Sequence, residues 1–438
     1  MRRNAVLFVL ISLVSGFGST AMSLSAGIWV FDLTGSPGIA ALTGLGIYAP
    51  TLAAPWLGAL VDRLPRRPLM IWTDLLLAAI ILTLLTVSAP HDAWLIYAVL
   101  LARGVSYVLI DAGETAILPT ALPPARLGDV NGWRSSAQEG MKLVAPLAGA
   151  GLYAWAGPSP VVLIAAAMPL LTAAFYALLR LPPPPAQAQS PEAGARPGAA
   201  EMDARAAEAD GGPDGAGAGA AVGGRPGAAK AGGVPARADG RDGLRALFGN
   251  PAVRGPVLVA ATAIGLSGLT NAGILAELVH GLHLPATRLG FLSTAQGAGS
   301  IVSGLLVGRL LTRFGPPAIA TTGTAVFAVA CVSSSLPWWP AMITGSVLAG
   351  IGLVWALIAG VTAVQTETPD HLLGRVGATS NTVMFGPVAI AIPLGAALVQ
   401  FGPAVPLLTA AALSGLVAFG ASATARRWIP QVPADRAG

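Results

Sequence analysis

The chain has 438 residues, 54% hydrophobic and only 10% charged, with a formal net charge of +5. Soluble domains carry roughly 25% charged residues, so water could not keep this much apolar surface covered, and the composition points to a polytopic membrane protein. A single cysteine, Cys331, excludes an internal disulfide framework and multi-cysteine metal sites, four unclustered histidines argue against zinc, and the basic residues form no patch that would suit nucleic acid.

A helix crossing ~30 Å of hydrocarbon needs ~20 mostly apolar residues. Twelve such spans are expected near 5–31, 38–60, 68–88, 93–118, 133–156, 160–180, 255–279, 288–311, 316–336, 339–363, 376–400 and 403–425. Arg2 and Arg3 followed by Ala5 to Leu13 mimic a signal peptide. The apolar stretch continues to Phe31, however, and is read as span 1. The breaks fall at turn residues such as Gly35-Ser36-Pro37, Gly157-Pro158-Ser159-Pro160 and Pro337. Residues 182–243 contain no Leu, Ile, Phe, Tyr or Trp and open on four prolines, so they cannot bury a core and should be disordered. The expected organisation is an N-terminal six-helix bundle (1–181), a disordered cytoplasmic linker (182–250), a C-terminal six-helix bundle (251–428) and a cytoplasmic tail (429–438).

Orientation follows from the placement of Lys and Arg. With both termini inside, the inner segments hold Arg2, Arg3, Arg63, Arg66, Arg67, Arg126, Arg134, Arg309, Arg313, Arg375, Arg426 and Arg427. The outer loops hold only Arg288. Trp29, Trp94, Trp155, Trp338 and Trp428 fall near span ends, where interfacial anchors belong.

The two halves echo each other. Gly58-Ala59-Leu60-Val61-Asp62-Arg63 is matched by Gly308-Arg309-Leu310-Leu311-Thr312-Arg313, Leu127-Gly128-Asp129-Val130 by Leu373-Gly374-Arg375-Val376, and Pro146-Leu147 by Pro393-Leu394. Three matches in order at a nearly constant offset predict an all-α membrane protein of twelve transmembrane helices in two six-helix bundles, a 6+6 pseudo-repeat. Parallel repeats of this kind frame a central site near the bilayer midplane.

The turn Gly58-Ala59-Leu60-Val61-Asp62-Arg63-Leu64-Pro65-Arg66-Arg67 resembles the loop between helices 2 and 3 of the major facilitator superfamily, Gly-x-x-x-Asp-Arg-x-Gly-Arg-Arg, with Pro65 in place of the usual glycine. Asp32-Leu33-Thr34-Gly35-Ser36-Pro37, Pro123-Pro124-Ala125-Arg126-Leu127-Gly128 and Thr368-Pro369-Asp370-His371-Leu372-Leu373-Gly374-Arg375-Val376 look most like the twelve-helix drug/proton antiporter branch, which includes macrolide efflux proteins and the enterobactin exporter. One departure lies in span 5, where the exporters' Gly-Pro-x-x-Gly-Gly reads Ala145-Pro146-Leu147-Ala148-Gly149-Ala150.

Ionisable side chains within spans are rare and usually functional. Span 4 carries Arg103, Asp111 and Glu114. At 100° per residue, Asp111 lies about 80° and Glu114 about 20° from Arg103, so all three share one broad face. Arg103 matches the superfamily's span 4 arginine, which implies proton coupling with Asp111, Glu114 and Glu139; a helix-orienting ion pair is the bland alternative. Glu139 and Lys142, three apart on span 5, can also simply pair with each other. The resemblance further implies a conformational latch of Gly58, Asp62, Arg63, Arg66, Arg67 and Asp74. In it Asp62 sits near Gly377 at the start of span 11, where the helix dipole favours an anion, and the arginines pair with Asp74, Asp111 or Glu114. Substrate contacts are expected from Ser19, Ser23, Asn271 and Trp355, with Gln365 at the inner end of span 10.

The function expected is export of a small amphiphilic molecule, drug-like or siderophore-like, by proton antiport with alternating access. It would be carried out by a monomer in the bacterial inner membrane with both termini cytoplasmic. The alternatives are a facilitator or importer of a small nutrient and, from another class, a non-transporting receptor or scaffold. No Gly-x-x-x-x-Gly-Lys, His-Glu-x-x-His or cysteine pair suggests an enzyme. The partners expected are the substrate, protons and the lipid bilayer, with no cofactor, metal or nucleic acid.

Overall fold

The computed structural model describes residues 2–61, 63–181 and 240–426. Asp62, the linker to 239 and the tail 429–438 lie outside the described residues. Span 1 is one helix, Arg2–Thr34. It stops at Gly35, whose φ of +66° suits glycine and whose N–H bonds the Phe31 carbonyl at 2.7 Å. Span 2 is broken into Pro37–Ala41, a 3-10 turn at Leu42–Gly44, Leu45–Leu52 and Ala54–Val61. Pro50 and Pro55 each lack the N–H that a continuous ladder needs. Spans 3 and 4 are Arg66–Leu82 and Ala93–Ala121. Span 5 is Pro124–Ala156 and starts nine residues before the 133 expected, because Pro124 suits the first helical position. Span 6 is Pro158–Leu178.

The expectation of disorder through residue 250 is corrected by a helix at Gly240–Gly249. Leu247 on it is fully buried, and the helix packs against the Asp370–Leu398 helix. The apolar run Leu244, Leu247, Phe248 is what ends the core-less stretch. Span 7 is Pro251–Ala276, capped by the Asn250 side chain and prolonged by a π turn at Glu277–Gly281. Spans 8 and 9 form one run, Leu289–Ser334, broken at Gly315 with φ +77° just before Pro316-Pro317. Spans 10, 11 and 12 are Trp339–Glu367, Asp370–Leu398 and Val405–Arg426.

Nine of the described helical stretches are long and apolar enough to cross a bilayer. The Gly315 break divides one of them in two. Span 2 is not among them because its pieces are short, and span 5 because Arg126, Asp129, Arg134, Glu139 and Lys142 lower its mean hydropathy. The described helices thus fit the expected all-α architecture of two helical bundles.

The repeat is visible in the packing. Span 1 packs on spans 5 and 6 as span 7 packs on spans 11 and 12, and span 3 packs on span 6 as span 9 joins span 12. Span 2 meets span 4 at Gly46 and Gly104, and span 8 meets span 10 at Gly299 and Gly350, small residues that let backbones touch. The halves meet where span 2 touches span 11 and span 5 touches span 8. A Cβ built on Gly38 would lie 2.7 Å from the Ala396 carbonyl, one on Gly290 2.7 Å from Ala150, and one on Gly297 2.8 Å from the Lys142 carbonyl. All these contacts lie away from the basic loops. Toward the basic loops, Gly128, Gly132, Gly304, Gly308 and Gly377 face open space among the described residues.

Candidate functional site

A buried polar cluster sits inside the first six spans. Glu114 on span 4 is 7% exposed and Asp74 on span 3 is 3% exposed. Burying an unpaired carboxylate is strongly unfavourable, and each acid has partners. Arg134 on span 5 forms an ion pair with Glu114, and its Nε donates to Ser12 Oγ of span 1 at 3.1 Å. The Arg134 guanidinium also lies 6.0 Å from the centre of the Phe8 ring. Tyr176 on span 6 donates to the other Glu114 oxygen at 2.6 Å. One turn earlier on the same helix, Thr172 donates to Asp74 at 2.6 Å. Thr172 and Tyr176 are spaced i, i+4, so one face of span 6 serves both acids.

This cluster borders a side cavity of about 100 Å³, whose wall includes Ser15, Ser19, Arg103, Tyr107, Asp111 and Gln138. A larger central cavity of about 560 Å³ lies between the halves. Its wall takes Ser23 from span 1, Tyr48 from span 2, Lys142 from span 5, Asn271 from span 7 and Gln296 from span 8. Ser19 belongs to both walls.

The expected residues divide as follows. Ser19, Ser23 and Asn271 line the central cavity. Trp355 instead packs against span 9 beside Gly323, and Gln365 is exposed at the end of span 10; neither is in the cavity wall. Arg103 shares the side cavity with Asp74, Asp111 and Glu114 but forms no ion pair with them, and its Nη1 is buried without a partner among the described residues. The helix-orienting pair expected between Arg103 and the span 4 acids is therefore replaced by Arg134–Glu114. Helical geometry places Arg103 and Glu114 on one face, but eleven residues of rise separate them by about 16 Å.

Glu139 pairs with Lys142 at 2.6 Å. In the latch, Arg66 and Arg67 do not reach Asp74, Asp111 or Glu114. Arg66 bonds the Ala116 carbonyl at 3.3 Å, and Arg67 bonds the Tyr176 carbonyl at 3.0 Å and the Ala177 carbonyl. The carbonyls that Arg67 meets lie in the last turn of span 6, where helix carbonyls are left unsatisfied, whereas Ala116 lies a turn before the end of span 4. Arg63 is exposed, the surroundings of Gly58 are not described, and Asp62 lies outside the described residues.

From the sequence, Arg134 counts only among the inner-side arginines that set orientation, at the start of span 5. The available signal was the i, i+4 series Arg134, Gln138, Lys142, a polar stripe along a helix that crosses the membrane.

The profile of the Major Facilitator Superfamily matches residues 8–272 and 257–437. The chain belongs to this superfamily. Among curated relatives it is 25% identical to Macrolide efflux protein A of Streptococcus pyogenes over 172 residues, 39% of this chain and 42% of that protein. It is 29% identical over 121 residues to Macrolide efflux protein A of Enterococcus faecalis, covering 27% and 38% of the two chains. The chain thus spans less than half the length of these superfamily relatives. In fold it is similar to the nucleoside transporter NupG (TM-score 0.68, 13% identity, 97% of this chain and 99% of that one). It is likewise similar to a bacterial homologue of the iron transporter ferroportin in an inward-facing state (TM-score 0.63, 16% identity, 96% and 99%).

Proposed function

We propose that this protein is a secondary transporter that exports a small amphiphilic molecule, drug-like or siderophore-like, in exchange for protons. One observation carries this reading. Span 5 holds Arg134, the partner of buried Glu114, and also supplies the contact that closes the central cavity against span 8, where Thr294 donates to the Leu143 carbonyl at 2.8 Å. Nine residues of helix, about 14 Å of rise, connect the two. A proton delivered to Glu114 cancels its charge and frees Arg134 to move. Span 5 then carries that change to the span 8 contact, and the cavity exchanges one opening for the other. Asp111 and Asp74, on the same side cavity, are the route by which the proton arrives, with Arg103 holding the carboxylates' field in balance.

In this scheme Gly58 to Arg67 works as the latch. Arg66 and Arg67 tie spans 4 and 6 to span 3. The basic loops face the cytoplasm of a bacterial inner membrane, and the protein acts as a monomer. The macrolide efflux relatives support export. A second reading, a facilitator or importer of a small nutrient, draws on the altered span 5 motif and on the completeness of the Glu114–Arg134 pair, which suits a fixed strut equally well.

The test uses everted membrane vesicles energised by a proton gradient, with cationic dyes, macrolides and siderophores added while internal pH is followed. Antiport predicts proton release triggered by one class and abolished in Glu114→Gln. Release that persists undiminished in both Glu114→Gln and Asp111→Asn removes the coupling scheme. Gradient-independent movement of a compound supports the facilitator.

A further inference from the structure

We propose that the central cavity selects an uncharged, multiply hydroxylated molecule, and that the Lys142–Glu139 pair sets this choice. The inference rests on reading the central cavity as the substrate site. Its wall is rich in groups that bond neutral hydroxyls and carbonyls: the amides of Asn271 and Gln296, the phenol of Tyr48 and the hydroxyls of Ser23 and Ser293. The Ser23 hydroxyl is buried with no hydrogen-bond partner among the described residues. Buried polar groups are almost always satisfied, and a turn of the Ser23 side chain into the cavity it borders would let a substrate hydroxyl satisfy it.

The charges are elsewhere or cancelled. Asp74, Asp111 and Glu114 border the side cavity and not the central one. Lys142 is the sole charged residue in the central wall among the described residues, and its Nζ lies 2.6 Å from Glu139 Oε1. Both side chains are about half exposed, 52% and 44%. An ion pair this wet adds little to stability. What it does set is the charge of the wall. A charged molecule entering the cavity sheds part of its water and must displace one member of this pair to find a counter-charge, a cost that a neutral polyol avoids. Removing one member of the pair leaves the other as bait for an ion of opposite sign.

The test uses the purified full chain and three fluorescent ligands on one scaffold: methylumbelliferyl glucoside (neutral), glucuronide (a carboxylate) and glucosaminide (an ammonium). Binding is read by equilibrium dialysis. The wild type should hold the glucoside about tenfold more tightly than either charged analogue. Glu139→Gln should shift relative affinity toward the glucuronide by about tenfold, and Lys142→Gln toward the glucosaminide by a similar factor. The double variant Glu139→Gln/Lys142→Gln should return to the neutral preference, which also shows that the site is still folded. A wild type that prefers a charged analogue or binds none of the three at millimolar concentration overturns the inference. So do single variants that keep the wild-type order. The same glucoside is then tested in everted vesicles. Selective binding without proton-driven movement would leave the substrate class standing and overturn the export reading. Proton-coupled movement of a charged dye, with no neutral preference in dialysis, would do the reverse.

Discussion

Glu114 and Arg134 form an ion pair between spans 4 and 5, twenty residues apart in the chain, with Glu114 buried and Arg134 partly so. In a low-dielectric interior such a pair stabilises little by itself, but removing one partner strands the other charge. The pair therefore ties the ionisation of one helix to the position of the next.

Arg134→Gln should destabilise the protein by about 3–5 kcal/mol while Glu114 remains ionised. Acidification should recover part of the loss, because a protonated Glu114 no longer needs a cation. Thermal unfolding of the purified protein, repeated across pH, measures both; an Arg134→Gln protein as stable as the wild type at neutral pH would refute the account.

Thr172→Val removes the side-chain donor that Asp74 has among the described residues while keeping the shape of the side chain. A loss of about 1–3 kcal/mol is expected, the penalty of a buried acceptor left unpaired. Combining it with Asp74→Leu, which removes the acceptor as well, should cost less than Thr172→Val alone. A double-mutant cycle on unfolding midpoints decides between coupling and simple loss of packing.

Gly297→Val places a branched side chain against the Lys142 backbone, where even a Cβ would be 2.8 Å from the carbonyl oxygen. Backbone cannot swing aside as a side chain does, so spans 5 and 8 should separate at that level. In a Cys331→Ser background carrying Ser346→Cys on the cavity wall, thiol labelling from the side opposite the basic loops should rise several-fold. Unchanged labelling would mean that this contact does not close the cavity.

Arg67→Gln should cost about 1–2 kcal/mol, since two carbonyls at the end of span 6 lose a charged donor. Arg67→Lys should recover only part of it, because a single ammonium does not present the guanidinium fork. Equal stability of all three proteins would leave these arginines as determinants of topology alone.

Leu247→Ala should remove the anchor of the Gly240–Gly249 helix and lower stability by about 2–5 kcal/mol, the usual range for a fully buried leucine. Hydrogen exchange at residues 244–249 would rise selectively if the helix undocks without disturbing span 11.

Much of the fold was legible because its cause is local. Hydrocarbon thickness requires long apolar runs, and proline and glycine punctuate them, so Gly35, Gly157 and Gly315 fall at real breaks. Span 2 was legible as a crossing but not as four pieces, since the effect of Pro50 and Pro55 depends on how neighbouring helices accommodate the kink. The start of span 5 was missed because its first turns are polar and carry no hydropathy signal. The helix at Gly240–Gly249 was missed because three apolar residues become a helix only when Leu247 has a surface to bury against.

The sequence by itself determined that this chain enters a bilayer, where most of its long helices break, and that its halves repeat. These properties depend on neighbours in the chain and on the lipid solvent. Which cation meets which acid was decided only in three dimensions. Arg103 and Glu114 share a helix face yet stay apart along its axis, whereas Arg134 reaches Glu114 from another helix. Pairing energies fall steeply with distance in space and do not depend on separation along the chain, so the packing of spans 4, 5 and 6 chose the partner.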